Sequence, residues 1–240
     1  MTYKPLGESA ILVEWPQQIS KEILNDIRLF TSKIEAKKWK KIIELNFIYS
    51  SLLIIYKSSE IKFIDFKNEL QLIYEESYSG VDIFEKTKTI WEIPVCYDIE
   101  FGIDLPFLSV EKKLSIADII FIHSNAIYTV YGIGFLPGFL YLGGLSEKLH
   151  HPRRDTPRLE VPKGAVAIGG NQTGIYPQTS PGGWQIIGKT PISMFDIKKD
   201  NPCLIKPGDE IKFKSISKDE FDFIKLDYSA EMYELKKGKK

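Results

Sequence analysis

Tyr131–Pro191 reads YGIGFLPGFLYLGGLSEKLHHPRRDTPRLEVPKGAVAIGGNQTGIYPQTSPGGWQIIGKTP. Within Gly132–Pro191 lie twelve of the seventeen glycines and seven of the thirteen prolines, so this backbone turns repeatedly and cannot run through long helices. Short extended pieces, Ala165–Ile168, Gln185–Ile187, Ile192–Phe195 and Glu210–Phe213, alternate with these turns. Many short strands with Gly/Pro turns predict a β-barrel or sandwich. Pro207-Gly208-Asp209 is one such turn, with proline presetting φ and glycine taking the strained position. Three of the four arginines, Arg153, Arg154 and Arg158, fall within six residues of this stretch, while the rest of the chain relies on twenty-eight lysines. Local use of arginine points to a need for the planar, forked donor that grips a carboxylate or phosphate with two parallel hydrogen bonds.

Upstream, the pattern changes. Residues 3–15 are extended with a bend at Gly7, and Ile23, Leu24, Ile27, Phe30 and Ile34 then mark one face of a helix capped by Ser20. Lys41–Phe47 and Ser51–Tyr56 read as a hairpin, Phe63, Phe66, Leu70 and Ile73 as a second helix ending before Gly80, and Thr89–Tyr97 as a strand. Pro94 places that strand at an edge or bulge. The order β-α-β-β-α-β predicts a small α+β, ferredoxin-like domain over residues 1–90. A mainly-β barrel domain is expected over 91–225 and a C-terminal tail over 226–240. Within the barrel domain, Leu105–Lys113 and Ser115–Asn125 read as short helices, the second with Asp118 completing its N-terminal cap, before a strand over Ile127–Gly134.

Composition bounds the function. The 240 residues carry no formal net charge, which removes an overall electrostatic case for nucleic acid or an anionic membrane. The basic end, Lys236, Lys237, Lys239 and Lys240, reads as a solvated terminus. No apolar run reaches about eighteen residues and no secretory leader is apparent. Two cysteines, Cys96 and Cys203, suit a reduced, cytoplasmic setting.

The motifs EIPVCYD (Glu92–Asp98), FGIDL (Phe101–Leu105), His123-Ser124, GFLPGFLYLGGL (Gly134–Leu145), PRRDTPRLEVPKGAVAIGGNQTGIYP (Pro152–Pro177) and SPGGWQIIGKTP (Ser180–Pro191) occur in one order. In these the chain resembles the bacterial allophanate-hydrolase subunit 1-like family, which includes a sporulation-kinase inhibitor and the B subunit of 5-oxoprolinase. The resemblance covers nearly the whole chain, weakly before residue 90. It implies a cyclophilin-like barrel, and a component that joins a larger allophanate hydrolase subunit 2-like partner and a LamB/YcsF-like subunit in ATP-dependent opening of 5-oxoproline to glutamate. It also allows a binding module that restrains a histidine kinase, or a part in allophanate metabolism. A cyclophilin-like fold does not bring prolyl isomerase activity with it. Two departures stand out: the pair His150-His151, and Lys189 where relatives often carry arginine, which keeps a cation but loses the fork.

The substrate-binding candidates are Arg153, Arg154, Arg158, Gln172, Thr173, Tyr176 and Trp184. The arginines either clamp an anion or pair with Asp155 and Glu160. Gly169–Gly174 offers amides, a hydroxyl and backbone N–H groups, or is simply a tight hairpin. Tyr176 and Trp184 wall a pocket or fill core. His123 is the candidate general base, or a histidine placed by a helix C-terminus. Ser180 reads as a turn residue. His150 and His151 lack a third ligand at metal spacing, so no metal site is expected. Gly183–Thr190 matches the Walker A pattern literally, yet WQII are strand formers and Pro191 disfavours a helix at Thr190, so ATP is not assigned to it.

Overall fold

The computed structural model describes residues 1–76 and 89–238. The chain divides into two compact units, Met1–Thr87 and Lys88–Lys240. In the first, β1 (Thr2–Pro5), β2 (Ala10–Glu14), β3 (Ile42–Ile48) and β4 (Ser51–Tyr56) accompany two helices, α1 (Lys21–Ala36) and α2 (Phe63–Glu75). Ser20 caps α1, its hydroxyl accepting from the Ile23 N–H at 3.3 Å. Ile23, Leu24, Ile27, Phe30 and Ile34 are buried on one face of α1, as their spacing demands. All but Leu24 meet alternate positions of the strands, Ile11 and Val13 on β2 and Leu52, Ile54 and Tyr56 on β4, together with Phe66, Leu70 and Ile73 of α2.

The sheet order here is β1-β2-β4-β3, antiparallel throughout. The βαββαβ expectation is corrected at its last element. The place beside β2 is taken by β1, which folds back through the bend at Gly7 (φ 63°). Thr89–Tyr97 instead supplies β5 (Ile90–Cys96) to the second unit. The reason lies in its side chains: six of the seven residues of IWEIPVC are buried, so both faces of the strand need cover, unlike an alternating edge strand. Gly80, expected just beyond α2, lies outside the described residues.

The second unit continues with α3 (Leu105–Lys112), α4 (Ile116–Asn125), β6 (Ile127–Ile133), β7 (Leu140–Gly143), β8 (Arg158–Val161), β9 (Ala165–Gly169), β10 (Gln172–Ile175), β11 (Ser180–Gly182), β12 (Gln185–Lys189), β13 (Glu210–Ile216), α5 (Lys218–Ser229) and β14 (Lys236–Lys237). Seven strands in the order β6-β13-β5-β12-β9-β10-β7 close into a mixed barrel through the β6–β7 pairing. Only β13–β5 is parallel within it. β8 and β11 form a separate two-stranded ribbon. Ile93, Val95, Val130, Leu142, Val166, Ile168, Ile187 and Phe213 fill the core with Leu105, Leu108 and Ile119 from the helices. α4 begins with a capping box in which Ser115 and Asp118 satisfy each other's backbone N–H groups.

Three further expectations change. Ile192–Phe195 forms no strand. β5 is no edge strand: Pro94 stands opposite Lys214 of β13, while on the other side β12 reaches only Cys96 and β14 only Trp91 and Glu92. The missing N–H of Pro94 therefore falls between two partners and leaves no pair broken. Residues 226–238 are no free tail either, since α5 runs to Ser229 and Lys236–Lys237 pair with β5. Lys239 and Lys240 lie outside the described residues.

Candidate functional site

Asp104 organises the arginine-bearing loop. It precedes α3 and is 5% exposed, and its two carboxylate oxygens divide their work. Oδ1 accepts from Arg158 Nη2 at 2.6 Å, and Oδ2 accepts from the Ile186 N–H at 2.6 Å. The Asp104 N–H donates back to the Ile186 carbonyl at 3.0 Å, so the aspartate clips the loop before α3 onto β12. Arg158 also reaches the Trp184 carbonyl with Nη1, and its side chain is one-fifth exposed. Arg158 is thus committed to structure, as half of a largely buried pair whose loss would strand a charge.

Arg153 and Arg154 face elsewhere. They border an open cleft of about 540 Å³ with Asp104, Phe107, His151, Asp155, Thr156 and Gln185. Backbone holds them there: the Arg154 N–H donates to Gly183 at 2.7 Å, and His151 and Gly170 exchange N–H···O bonds of 3.0 and 2.7 Å. Arg154 keeps only a loose 3.9 Å approach to Asp104 and a long bond to the Thr156 carbonyl. The Arg153 guanidinium lies 5.5 Å from the centre of the Trp184 ring.

Beneath Arg153 is an aromatic floor. Phe139 meets Tyr176 and Trp184 edge-on at 5.2 and 5.5 Å, with Tyr141 alongside. Tyr176 and Trp184 are buried, and Trp184 packs flat on Gly169, where an added Cβ would sit 2.5 Å from the ring. Burial raises the Tyr141 and Tyr176 phenols above their ordinary values, and the Arg153 charge opposes that shift in both.

In the sequence His151 reads only against a metal-ligand role. In the fold its ring lines the cleft against Phe107, and its pKa is lowered, first by burial and then by the Lys112 charge. Both causes favour the neutral imidazole, in the cleft that Arg153 and Arg154 also border.

His123 is elsewhere, inside the barrel and fully buried. Thr173 spends its one hydroxyl proton on the Ala167 carbonyl at 3.0 Å, so it accepts from His123 Nε2–H at 2.9 Å. Nδ1 then accepts from the Tyr97 hydroxyl at 2.8 Å. The ring stacks on Phe213 at 4.7 Å, and burial lowers its pKa to about 3. A general base needs to reach a substrate, and His123 touches only the barrel interior. Thr173 belongs to the same interior pair, while Gln172 opens β10 opposite Gly169, outside the cleft lining.

The structure thus brings together Arg153, Arg154 and Trp184, ties Arg158 beside them, and separates His123 and Thr173. Sequence reasoning passes over Asp104, Phe107, His151 and Gln185 as cleft residues. Asp104 stands in the FGIDL motif and Gln185 in SPGGWQIIGKTP, so the signal available is their membership of those motifs. The Walker-like match fails as expected, because Gln185–Lys189 is strand β12 and no helix follows Thr190.

The profile of the carboxyltransferase domain, subdomain C and D, matches residues 1–205. The chain is 36% identical over 223 residues to the 5-oxoprolinase B subunit of Bacillus subtilis, spanning 90% of this chain and 93% of that one. It is 39% identical over 213 residues to the 5-oxoprolinase B subunit of Haemophilus influenzae, spanning 89% and 97%. The crystal structure of K. lactis urea amidolyase shares the fold alone, with a TM-score of 0.83 at 21% identity; 98% of this chain corresponds to 16% of that one. The chain belongs to the carboxyltransferase subdomain C and D family and, within it, to the group of the bacterial 5-oxoprolinase B subunits.

Proposed function

We propose that this chain is the B subunit of a 5-oxoprolinase and binds the anionic substrate in the cleft bordered by Arg153 and Arg154. One combination carries the reading: two arginines share one open cleft, in a chain more than a third identical to two bacterial 5-oxoprolinase B subunits over about nine-tenths of its length. 5-Oxoproline carries a carboxylate, and opening its lactam develops negative charge on the carbonyl oxygen. Oriented cations stabilise both.

The reaction uses ATP, and a larger partner subunit and a LamB/YcsF-like subunit complete the enzyme, so the isolated chain is inactive. The barrel is of the cyclophilin-like kind, and the complex is cytoplasmic. Among the described residues no helix is long and apolar enough to cross a membrane.

Reconstitution tests this reading. The full chain mixed with its partner subunits, ATP and 5-oxoproline is expected to form glutamate. Partner subunits that form glutamate equally well without this chain would rule the reading out.

A further inference from the structure

Another cavity, of about 320 Å³, shares no residue with the arginine cleft. Lys163, Lys189 and Lys225 all border it. Two come from adjoining backbone: Lys189 ends β12 opposite Ala165, and Thr190 N–H donates to the Gly164 carbonyl at 2.9 Å. That approach requires glycine, because residue 164 has φ +83° and a Cβ there would lie 2.5 Å from the Thr190 carbonyl oxygen. The third lysine comes from α5, which presents Phe221, Lys225, Tyr228 and Ser229 to the cavity at helical spacing. α5 is held down by Phe221, which is 3% exposed and packs against Phe101 at 4.6 Å.

The charges in this cavity are uncompensated. None of the three lysines forms an ion pair among the described residues. Lys189 is half-buried with its ammonium 5.6 Å from the Phe101 ring, and burial followed by the Lys225 charge lowers its pKa. The neighbouring hydroxyls have already donated: Ser193 to the Phe195 carbonyl, Tyr228 to the Ser193 carbonyl, Ser229 to the Leu226 carbonyl. The lysines and the Thr190 hydroxyl, which accepts from the Ile192 N–H, are therefore the side-chain donors that remain. Lys189 and Lys225 repel each other across the cavity that Lys163 also borders, and a multiply charged anion reverses the sign of that interaction.

We propose that this cavity binds a phosphate-type oxyanion, supplied either as inorganic phosphate or as the phosphoryl group of a nucleotide. Lysine serves here as a point charge on a flexible stem, able to follow a tetrahedral anion without a fixed fork. The proposal does not rest on the oxoprolinase reading.

Calorimetric titration of the full chain at low ionic strength tests it, with sodium phosphate in one arm and ATP in the other. Saturable binding is expected, weakened about tenfold (~1.4 kcal/mol) by Lys189→Met and by Lys225→Met. Methionine keeps the apolar stem, and Lys225 is exposed on a helix surface, so at least the second variant folds. Lys206→Met, an exposed lysine outside the cavity, is expected to bind like the parent. Tighter binding of ATP assigns the site to a nucleotide, and binding no tighter than phosphate assigns it to the free ion. Absence of saturable binding in both arms, unchanged affinity in the two cavity variants, or an equal loss in Lys206→Met would overturn it. No partner subunit is needed, so failure here leaves the oxoprolinase reading standing.

Discussion

Both ring nitrogens of His123 are bonded inside the barrel, to Tyr97 and Thr173, whereas Arg153 and Arg154 border an open cleft with only loose protein partners. Both regions contain residue types that read as chemistry in a sequence. What separates them is whether the fold has already used their hydrogen-bonding capacity. A buried group with every partner supplied holds the structure together, and a donor left facing a recess is free to hold a ligand. Arg158 marks the boundary, three residues from the cleft wall at Asp155 yet locked on Asp104.

The largest effect expected from breaking this division is at Asp104. Asp104→Asn removes the charge that Arg158 and the Ile186 N–H share, and unfolding in urea is expected to show a loss of ~3–5 kcal/mol, as for other broken buried pairs. A loss below about 1 kcal/mol would move Arg158 to the binding side of the comparison.

Next comes the barrel interior. His123→Phe keeps the stack on Phe213 but leaves the buried Tyr97 hydroxyl without its acceptor, at a cost of ~1–3 kcal/mol. The same variant sharpens the comparison through pH. Unfolding frees the His123 ring to bind a proton at its ordinary value near 6.5, while the folded ring resists until about 3. Stability from this group is therefore full above pH 6.5 and falls with acid by up to ~1.4 kcal/mol per pH unit down to about pH 3. The difference in unfolding free energy between parent and variant is expected to shrink over that window and, within it, to change sign. A difference independent of pH between 4 and 7 would mean the ring is not held neutral.

The smallest stability effect belongs to the cleft. Arg154→Ala is expected to stay within about 0.5 kcal/mol of the parent in the same urea experiment, since its protein contacts are long and exposed. A loss of several kcal/mol would class Arg154 with Arg158.

Local chemistry makes much of this legible. The helix faces of α1 and α2, the Ser20 cap and the Ser115–Asp118 box depend on residues three or four apart, and they appear as expected. The Gly/Pro-rich stretch forms short strands that help close a barrel. What stays hidden depends on distant partners. β5 pairs with β13 about 120 residues on, which no local period encodes, so sequence pattern alone counts its strand as the last of the βαββαβ sheet. Asp104 meets Arg158 across 54 positions, and His123 meets Thr173 across 50. Seen alone, each is a residue type without an address. The arginine cluster itself is visible in the sequence, but which two of the three face a cleft is decided by Asp104.

The central claim is that Arg153 and Arg154 act on substrate and not on the fold. Steady-state kinetics of the reconstituted enzyme carrying Arg153→Ala and Arg154→Ala together measure it most directly, with thermal unfolding of the same variant alongside. A fall in kcat/KM for 5-oxoproline of at least about a hundredfold, with the unfolding midpoint little changed, is the predicted result. Parental kcat/KM in that variant would contradict the account.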